Sequence, residues 1–364
     1  MFKTVFRDRY LLCLLSLAII IKLFSLNEGW VERYYTFGFY PVISKTLRIL
    51  FGWIPFSIGD LVYSIAFIWL LFKTWKLVVL LKKRKAKAYL SWLLFRKYLK
   101  LALLVYVIFS LNWGLNYYRQ GIEAQLGLRL EPYSVNDLFT LTTVLRDRVN
   151  TYAERIDSVQ RLKYDQNQLL FSTGKEAYRN VQQQYPFLSY SASSIKPSMF
   201  TPVGHWFGFT GYYNPFSAEA QLKTSIPVFL KPFVITHEIA HQLGYAKENE
   251  ASFVAYLTCK ASPDINFIYS VYFEMYRDAM FDCRQTSDTA FVTNLARTIH
   301  PRVKWDIRDL RSYLLNNKNF VEPLMTDAYD KYLKLNNQPK GRATYNEVIA
   351  YLVAYMKKFG KDSI

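Results

Sequence analysis

Three long apolar stretches, separated by basic and polar connections, occupy the first third of the chain. They cover residues 10–26, 58–81 and 98–113. Their lengths are near the roughly 17–25 residues that an α-helix needs to cross the hydrocarbon core of a bilayer. The pattern therefore predicts a membrane region over residues 1–119 with about three transmembrane helices. One globular domain is expected to follow over residues 120–364.

In the second part of the chain, most apolar positions recur at helical spacing. The run Ser134-Val135-Asn136-Asp137 is typical of a helix start, and a regular apolar series follows it. The aromatic segment 199–230 is interrupted by glycines and instead predicts loops and strands. Within it, residues 218–226 are expected to be extended. That segment is either a sheet edge that pairs with an extended substrate or an ordinary core strand.

One helical segment carries the run Thr236-His237-Glu238-Ile239-Ala240-His241-Gln242. Two histidines four residues apart project from the same face of a helix, one turn apart. Both imidazoles can then reach a single Zn²⁺, and the glutamate after the first histidine can take a proton from a bound water. Pro232 suits the first turn of this helix and Gly244 suits its end. The alternative is a helix that carries two histidines by coincidence.

A catalytic zinc ion needs a third protein ligand besides His237 and His241. The metzincin pattern requires a histidine at position 247, which is a lysine, so that pattern is excluded. The next candidates are Glu248 and Glu250, in the first turn of a second predicted helix. Glu250 is the preferred ligand because the small Ala251 would allow the two helices to pack closely, and Glu248 is the alternative.

The net charge of +18 is unevenly distributed along the chain. Residues 1–119 hold 18 Lys and Arg against 4 Asp and Glu, and the excess lies beside the apolar stretches. This arrangement indicates membrane topology rather than a nucleic-acid surface, so no nucleic-acid partner is expected. The basic groups before residue 10 and between residues 82 and 97 are predicted to be cytoplasmic. Three crossings would then place the domain outside the cytoplasm.

The run from His237 to His241, followed by Glu248-Asn249-Glu250-Ala251-Ser252-Phe253, resembles the zincin metallopeptidases whose third ligand is a glutamate on the next helix. The chain also resembles an uncharacterised family of bacterial membrane proteins with N-terminal membrane helices and such a domain. That likeness extends through three further runs: Gly211-Tyr212-Tyr213-Asn214-Pro215-Phe216, Glu219-Ala220-Gln221 and Tyr329-Asp330-Lys331-Tyr332-Leu333-Lys334. The resemblance implies an α+β zincin-like domain, mainly helical, attached to an α-helical transmembrane part. It also implies a multi-pass protein of the bacterial inner membrane with a periplasmic domain.

The expected function is therefore a membrane-anchored zinc peptidase that acts on a peptide or protein substrate. Zn²⁺ bound by His237, His241 and Glu250 would acidify its water, and Glu238 would act as the general base. A second donor to the oxyanion is usual in such sites. The candidates are Tyr213, His205 and Tyr245, each of which could equally serve in packing or local hydrogen bonding.

Two other functions fit the same residues. A zincin-like domain that no longer cleaves could act as a membrane interaction or regulatory module, although Glu238 is not needed for metal binding alone. A zinc hydrolase could also act on a non-peptide amide of the cell envelope. Cys259 and Cys283 both fall in the predicted outer domain, where an oxidising compartment would permit a disulfide, but spacing does not show whether they meet.

Overall fold

The computed structural model describes residues 8–83, 92–341 and 347–364. Its N-terminal part consists of helices that are exposed over much of their apolar surface. A π-helix, Val31–Phe39, joins the second of them to the third. The helices are α1 (Arg9–Phe24), α2 (Glu28–Trp30), α3 (Tyr40–Gly52), α4 (Ile58–Lys82) and α5 (Trp92–Asn112).

Among the described residues, α4 is the one helix that is by itself long and apolar enough to cross a membrane. Helix α1 together with the helical segment Glu28–Gly52 meets the same criterion as a pair, across a bend of 101°. Helix α5 does not, because three basic residues (Arg96, Lys97 and Lys100) lie in its first half. The structure thus has one or two candidate spans. The prediction of three spans, and with it a multi-pass topology, is not supported.

The predicted basic loops lie only partly within the described residues. Lys3, Arg7, Arg84, Lys85 and Lys87 lie outside them. Arg96 and Lys100, on α5, both pair with the Asp8 carboxylate at the start of α1. Charge pairing therefore joins the ends of α1 and α5, which also pack against each other.

The larger part of the chain is mainly helical. Its first long helix, α7, begins at Val135 with a capping box between Ser134 and Asp137, which confirms the helix start predicted from sequence. The helices are α6 (Ile122–Leu126), α7 (Val135–Arg155), α8 (Ser158–Arg161), α9 (Asn167–Gln184), α10 (Gly204–Phe207), α11 (Lys231–Gln242), α12 (Glu248–Lys260), α13 (Ile265–Cys283), α14 (Thr289–Thr298), α15 (Pro301–Asn316), α16 (Glu322–Leu335) and α17 (Val348–Phe359). Short 3₁₀ turns cover Gly114–Tyr118, Leu162–Asp165, Pro186–Leu188, Val228–Leu230 and Lys361–Ser363.

A three-stranded sheet lies against α11. Its strands are β1 (Ile195–Pro197), β2 (Gly211–Asn214) and β3 (Glu219–Leu222), in the order β1-β3-β2. Strand β3 is parallel to β1 and antiparallel to β2. The segment 218–226, which could have been a substrate-pairing edge, therefore contains the central strand, and every residue of β3 is buried. An edge-pairing role for this segment is ruled out because both of its sides are already hydrogen bonded.

Two buried apolar clusters hold the elements together. The larger one is formed by helices of the second part, with α13 packed on α7 and α11 packed on α12. The smaller one combines both parts of the chain: Tyr40 and Trp113 from the N-terminal part pack with Tyr213 and Ala246. The described cysteines do not form a disulfide, and Cys259 and Cys283 are buried as free thiols beside Thr236 and Thr142.

Candidate metal centre

Helix α11 carries both histidines, and its ends are set by local sequence as predicted. Pro232 occupies the first turn, where no N–H partner is needed. After the helix, Gly244 adopts a φ of +89°, in the left-handed region that favours glycine. A Cβ at this position would lie 2.9 Å from Tyr40 Cε1. This tight turn directs the chain into α12, which packs back against α11.

The close packing of α11 and α12 brings three potential metal ligands together. Glu248 Oε2 lies 3.1 Å from His237 Nε2 and 3.6 Å from His241 Nε2. One ligand atom from each residue lies within 4.8 Å of the others, and all three side chains are buried. A group of two imidazoles and one carboxylate with this spacing could bind a metal ion.

Each member of this group is held by a further hydrogen bond. His241 Nδ1 donates to the Tyr245 carbonyl oxygen over 2.6 Å, because that oxygen can only accept. This bond leaves Nε2 facing Glu248. Ser252 Oγ lies 3.3 Å from His237 Nδ1, and the Tyr329 hydroxyl donates to Glu248 Oε1 over 2.6 Å. Such outer contacts orient the ligands of a metal site and fix the histidine tautomers.

A model of one protein family matches residues 35–353, a span that contains this entire group of residues. The family is described as a protein of unknown function, DUF3810. The chain belongs to the DUF3810 family. No curated protein and no solved structure matches it.

In this DUF3810 protein, Glu248 rather than the preferred Glu250 joins the histidines. Residues two apart on a helix are separated by about 200° around its axis, so the two carboxylates face opposite sides of α12. The Glu250 carboxylate instead pairs with Lys247 Nζ at 3.1 Å. It also lies beside Gly121, where a Cβ would come within 2.7 Å of Glu250 Oε1. We therefore replace Glu250 with Glu248 as the expected third ligand.

Glu238 lies on α11 between the two histidines and is also buried. A Cβ on Gly211 would lie 2.7 Å from Glu238 Oε1, so β2 approaches this carboxylate closely at a residue without a side chain. Glu238 Oε2 is buried without a hydrogen bond in the described structure. Burial raises the pKa of Glu238 to about 8, with the charge of His241 opposing this shift and that of Glu248 adding to it. A group with this pKa can exchange a proton near neutral pH.

The ionic state of the three candidate ligands follows from the same charges. Burial favours the neutral form of His241, but the Glu248 carboxylate outweighs it and raises the pKa of His241 to about 9. For His237, burial prevails over the pull of Glu248 and lowers the pKa. Burial alone would raise the pKa of Glu248, but the positive charge on His241 holds it well below its usual range. The carboxylate thus needs a positive charge beside it, which a proton or a metal ion can provide.

The three predicted oxyanion or substrate residues differ in their placement. The Tyr213 ring lies 6.5 Å from the His241 ring, and its hydroxyl lies 3.5 Å from that of Tyr40. Tyr245 meets the group through its backbone carbonyl, while its hydroxyl donates to Gln125 Oε1 over 2.7 Å. His205 lies on α10, where its ring packs against Trp206. Of the three side chains, that of Tyr213 is the one placed beside a histidine.

Sequence reasoning missed the residues that hold the end of α11. The Tyr40 hydroxyl lies 3.2 and 3.0 Å from the carbonyl oxygens of His241 and Gln242. Ser44 Oγ donates to the Gln242 carbonyl over 2.9 Å, and Trp113 Nε1 donates to that of His241 over 3.3 Å. The last carbonyls of a helix have no partner within it. Here the Gly244 N–H donates to the His241 carbonyl over 3.0 Å, and the N-terminal part of the chain supplies the side-chain donors, which no local pattern signals.

Replacement of Tyr329 by phenylalanine is expected to weaken metal binding by roughly 10–100-fold, because this change frees the Glu248 carboxylate to rotate. Competition with a metal chelator measures the effect. Tyr332→Phe is the matched control, since Tyr332 stacks on Tyr329 while its hydroxyl lies 3.3 Å from that of Tyr117. Equal affinities for Tyr329→Phe and the wild type would contradict a supporting role for the Tyr329 hydroxyl.

Proposed function

We propose that this protein is a membrane-anchored, zinc-dependent peptidase. The observation that carries the proposal is the buried convergence of His237, His241 and Glu248 beside a second acidic group, Glu238. Two imidazoles and one carboxylate form a common ligand set of catalytic zinc, which leaves a fourth position open for water. The residues also fit a cation electrostatically, because two buried carboxylates face one shared region with Glu238 Oε2 unpartnered in the described structure.

The three ligand side chains would hold Zn²⁺, and the roles of their neighbours follow from the contacts. When bound, the ion supplies a Lewis acid that polarises a carbonyl group and makes water more acidic. Glu238 accepts a proton from water and returns it to the leaving amine. The Tyr245 carbonyl and Ser252 position the imidazoles, and the Tyr329 hydroxyl positions Glu248. The burial of these residues limits competition from bulk water.

Strand β2 is the best candidate for pairing with an extended peptide substrate. Among the described strands it pairs with β3 along one side, which leaves its other side as an edge of the sheet. It begins at Gly211, directly beside Glu238. A peptide added along this edge would use backbone hydrogen bonds for affinity and side-chain contacts for selectivity. Strand β2 thus takes over the role that residues 218–226 cannot have.

We further propose that the second part of the chain lies outside the cytoplasm of a bacterium, attached to the inner membrane. The first turn of α4 contacts this part through Asp60, which accepts from the Tyr212 hydroxyl at 2.6 Å. Trp113, just after α5, contacts it through the His241 carbonyl. The basic run of residues 82–97 begins at the other end of α4, and basic runs favour the cytoplasmic side, so α4 as a single span would place the second part of the chain on the opposite side.

The metal content of the purified full-length protein tests this proposal. We expect about one zinc ion per chain in the wild type, from the set of His237, His241 and Glu248, and loss of that zinc in His237→Ala. His300→Ala is the matched control, since His300 caps α15 through its contact with the Arg302 N–H. A well-folded wild-type protein that binds no metal at micromolar zinc would refute the proposal.

A further inference from the structure

Away from the candidate metal centre, an exposed apolar surface is attached to the start of α4. The segments 199–208 and 320–324 together expose six large apolar side chains, which we call the apolar rim. Its members are Met199, Val203, Trp206, Phe207, Phe320 and Leu324. Phe320 is 92% exposed, and none of the six is buried. Such a contiguous exposed patch marks an interaction site in a stable protein.

Direct hydrogen bonds fix the rim to α4. The backbone N–H of Met199 donates to Asp60 Oδ2 over 2.8 Å, and Asp60 Oδ1 accepts from the Tyr212 hydroxyl. Asp60 lies in the first turn of α4 and is fully buried. Both ends of the segment 199–212 are therefore held at the level where α4 begins, next to its long exposed apolar surface.

The two parts of the rim are also joined to each other. Asn319 Nδ2 donates to the His205 carbonyl oxygen over 2.9 Å. A Cβ on Gly208 would lie 3.4 Å from Glu322 Cγ, which places the start of α16 against the end of α10. The two exposed apolar segments thus lie directly against each other.

We propose that the apolar rim lies in the headgroup layer of the phospholipid bilayer that α4 enters. The apolar rim continues directly from the start of α4, and this favours lipid over another protein as the partner that covers the rim. Tryptophan and other aromatic side chains are favoured at this depth, where an apolar body meets a hydrated layer. The inference rests on the placement of α4 in a bilayer and is independent of metal binding and of hydrolysis.

The rim has a consequence for the candidate metal centre. The segment continues through Phe209 and Thr210 into β2, whose first residue lies beside Glu238. Contact of the rim with lipid therefore holds the strand proposed to bind substrate at the membrane surface. Polypeptide segments next to the membrane would then be within reach of the candidate metal centre.

Fluorescence quenching by spin-labelled lipid tests the proposal on the full chain. A single environment-sensitive label is attached at Phe207→Cys in a Cys13→Ala background, where Cys259 and Cys283 are buried. The protein is reconstituted in phosphatidylcholine–phosphatidylglycerol nanodiscs that carry a nitroxide on the lipid headgroup or deep in the acyl chain. Phe281→Cys on α13 is the matched control, because Phe281 and Phe207 are 49% and 47% exposed. Ile68→Cys in α4 reports whether that helix is inserted.

We expect the label at position 207 to lose most of its fluorescence to the headgroup nitroxide, the label at 68 to lose it to the acyl-chain nitroxide, and the label at 281 to respond to neither. Quenching at 68 with position 207 behaving like 281 would overturn the inference and leave the anchoring proposal intact. A label at 207 that is shielded from water but unquenched would indicate coverage by a second copy of the chain, which also overturns it. No quenching at 68 would overturn both the inference and the anchoring.

Discussion

Replacement of Glu238 by glutamine is expected to abolish peptide hydrolysis while the bound metal is retained. The amide has nearly the shape of the carboxyl group but cannot accept a proton from water. Loss of general-base catalysis costs roughly 10²–10⁴-fold in rate. Glu238 is not one of the three residues expected to bind the metal, so the zinc content should stay that of the wild type. Turnover of a quenched-fluorescence peptide library and elemental analysis of the same samples measure the two effects.

Glu250→Gln is the control for the Glu238 experiment, since it makes the same chemical change at another buried carboxyl group. We expect it to keep the wild-type turnover. Undiminished turnover in Glu238→Gln would remove Glu238 from the mechanism. A wild-type protein that binds zinc but cleaves no member of the library would instead favour the non-cleaving module or a non-peptide amide as substrate.

The second large effect is expected at Glu248. Glu248→Gln should weaken metal binding beyond the roughly 10–100-fold that is typical when a residue that only supports a ligand is lost. The change removes a negatively charged ligand 3.1 Å from His237 Nε2 and 3.6 Å from His241 Nε2. Chelator competition on the full-length protein gives the affinities.

Glu250→Gln is expected to leave the affinity for metal unchanged, because the Glu250 carboxylate faces Lys247 on the other side of α12. Thermal unfolding of both variants separates a loss of metal from a loss of fold. The reverse order of affinities would return the third ligand to Glu250 and would require α12 to be rotated about its axis.

The local features of the site could be predicted from sequence because they depend on neighbours in the chain. The spacing of His237 and His241 requires no knowledge of the fold beyond a helix, and Pro232 and Gly244 mark its ends. The choice between Glu248 and Glu250 depends on the rotation of α12 relative to α11. Turn geometry around Gly244 sets that rotation, and the size of Ala251 alone does not.

Long-range features could not be predicted in this way. The alternation in residues 218–226 indicates a strand, but strand order depends on β1, which is about 25 residues away in the chain. The apolar pattern likewise predicts α5 as a helix, although three basic residues keep it below the requirement for a span. The donors to the end of α11 come from residues 128 to 202 positions earlier.

Through those donors, the N-terminal helices also support the helix that carries both histidines. A fragment that begins at residue 120 would lack the donors Tyr40, Ser44 and Trp113, so the Gln242 carbonyl would lose two side-chain hydrogen bonds and the His241 carbonyl would keep the Gly244 N–H. Each hydrogen bond lost costs roughly 0.5–1.5 kcal/mol net. The same truncation would also open the smaller apolar cluster, which both parts build. Under the proposed function, proteolytic release from the membrane would therefore inactivate the protein rather than produce a diffusible peptidase, and its action would be confined to places that the intact chain can reach.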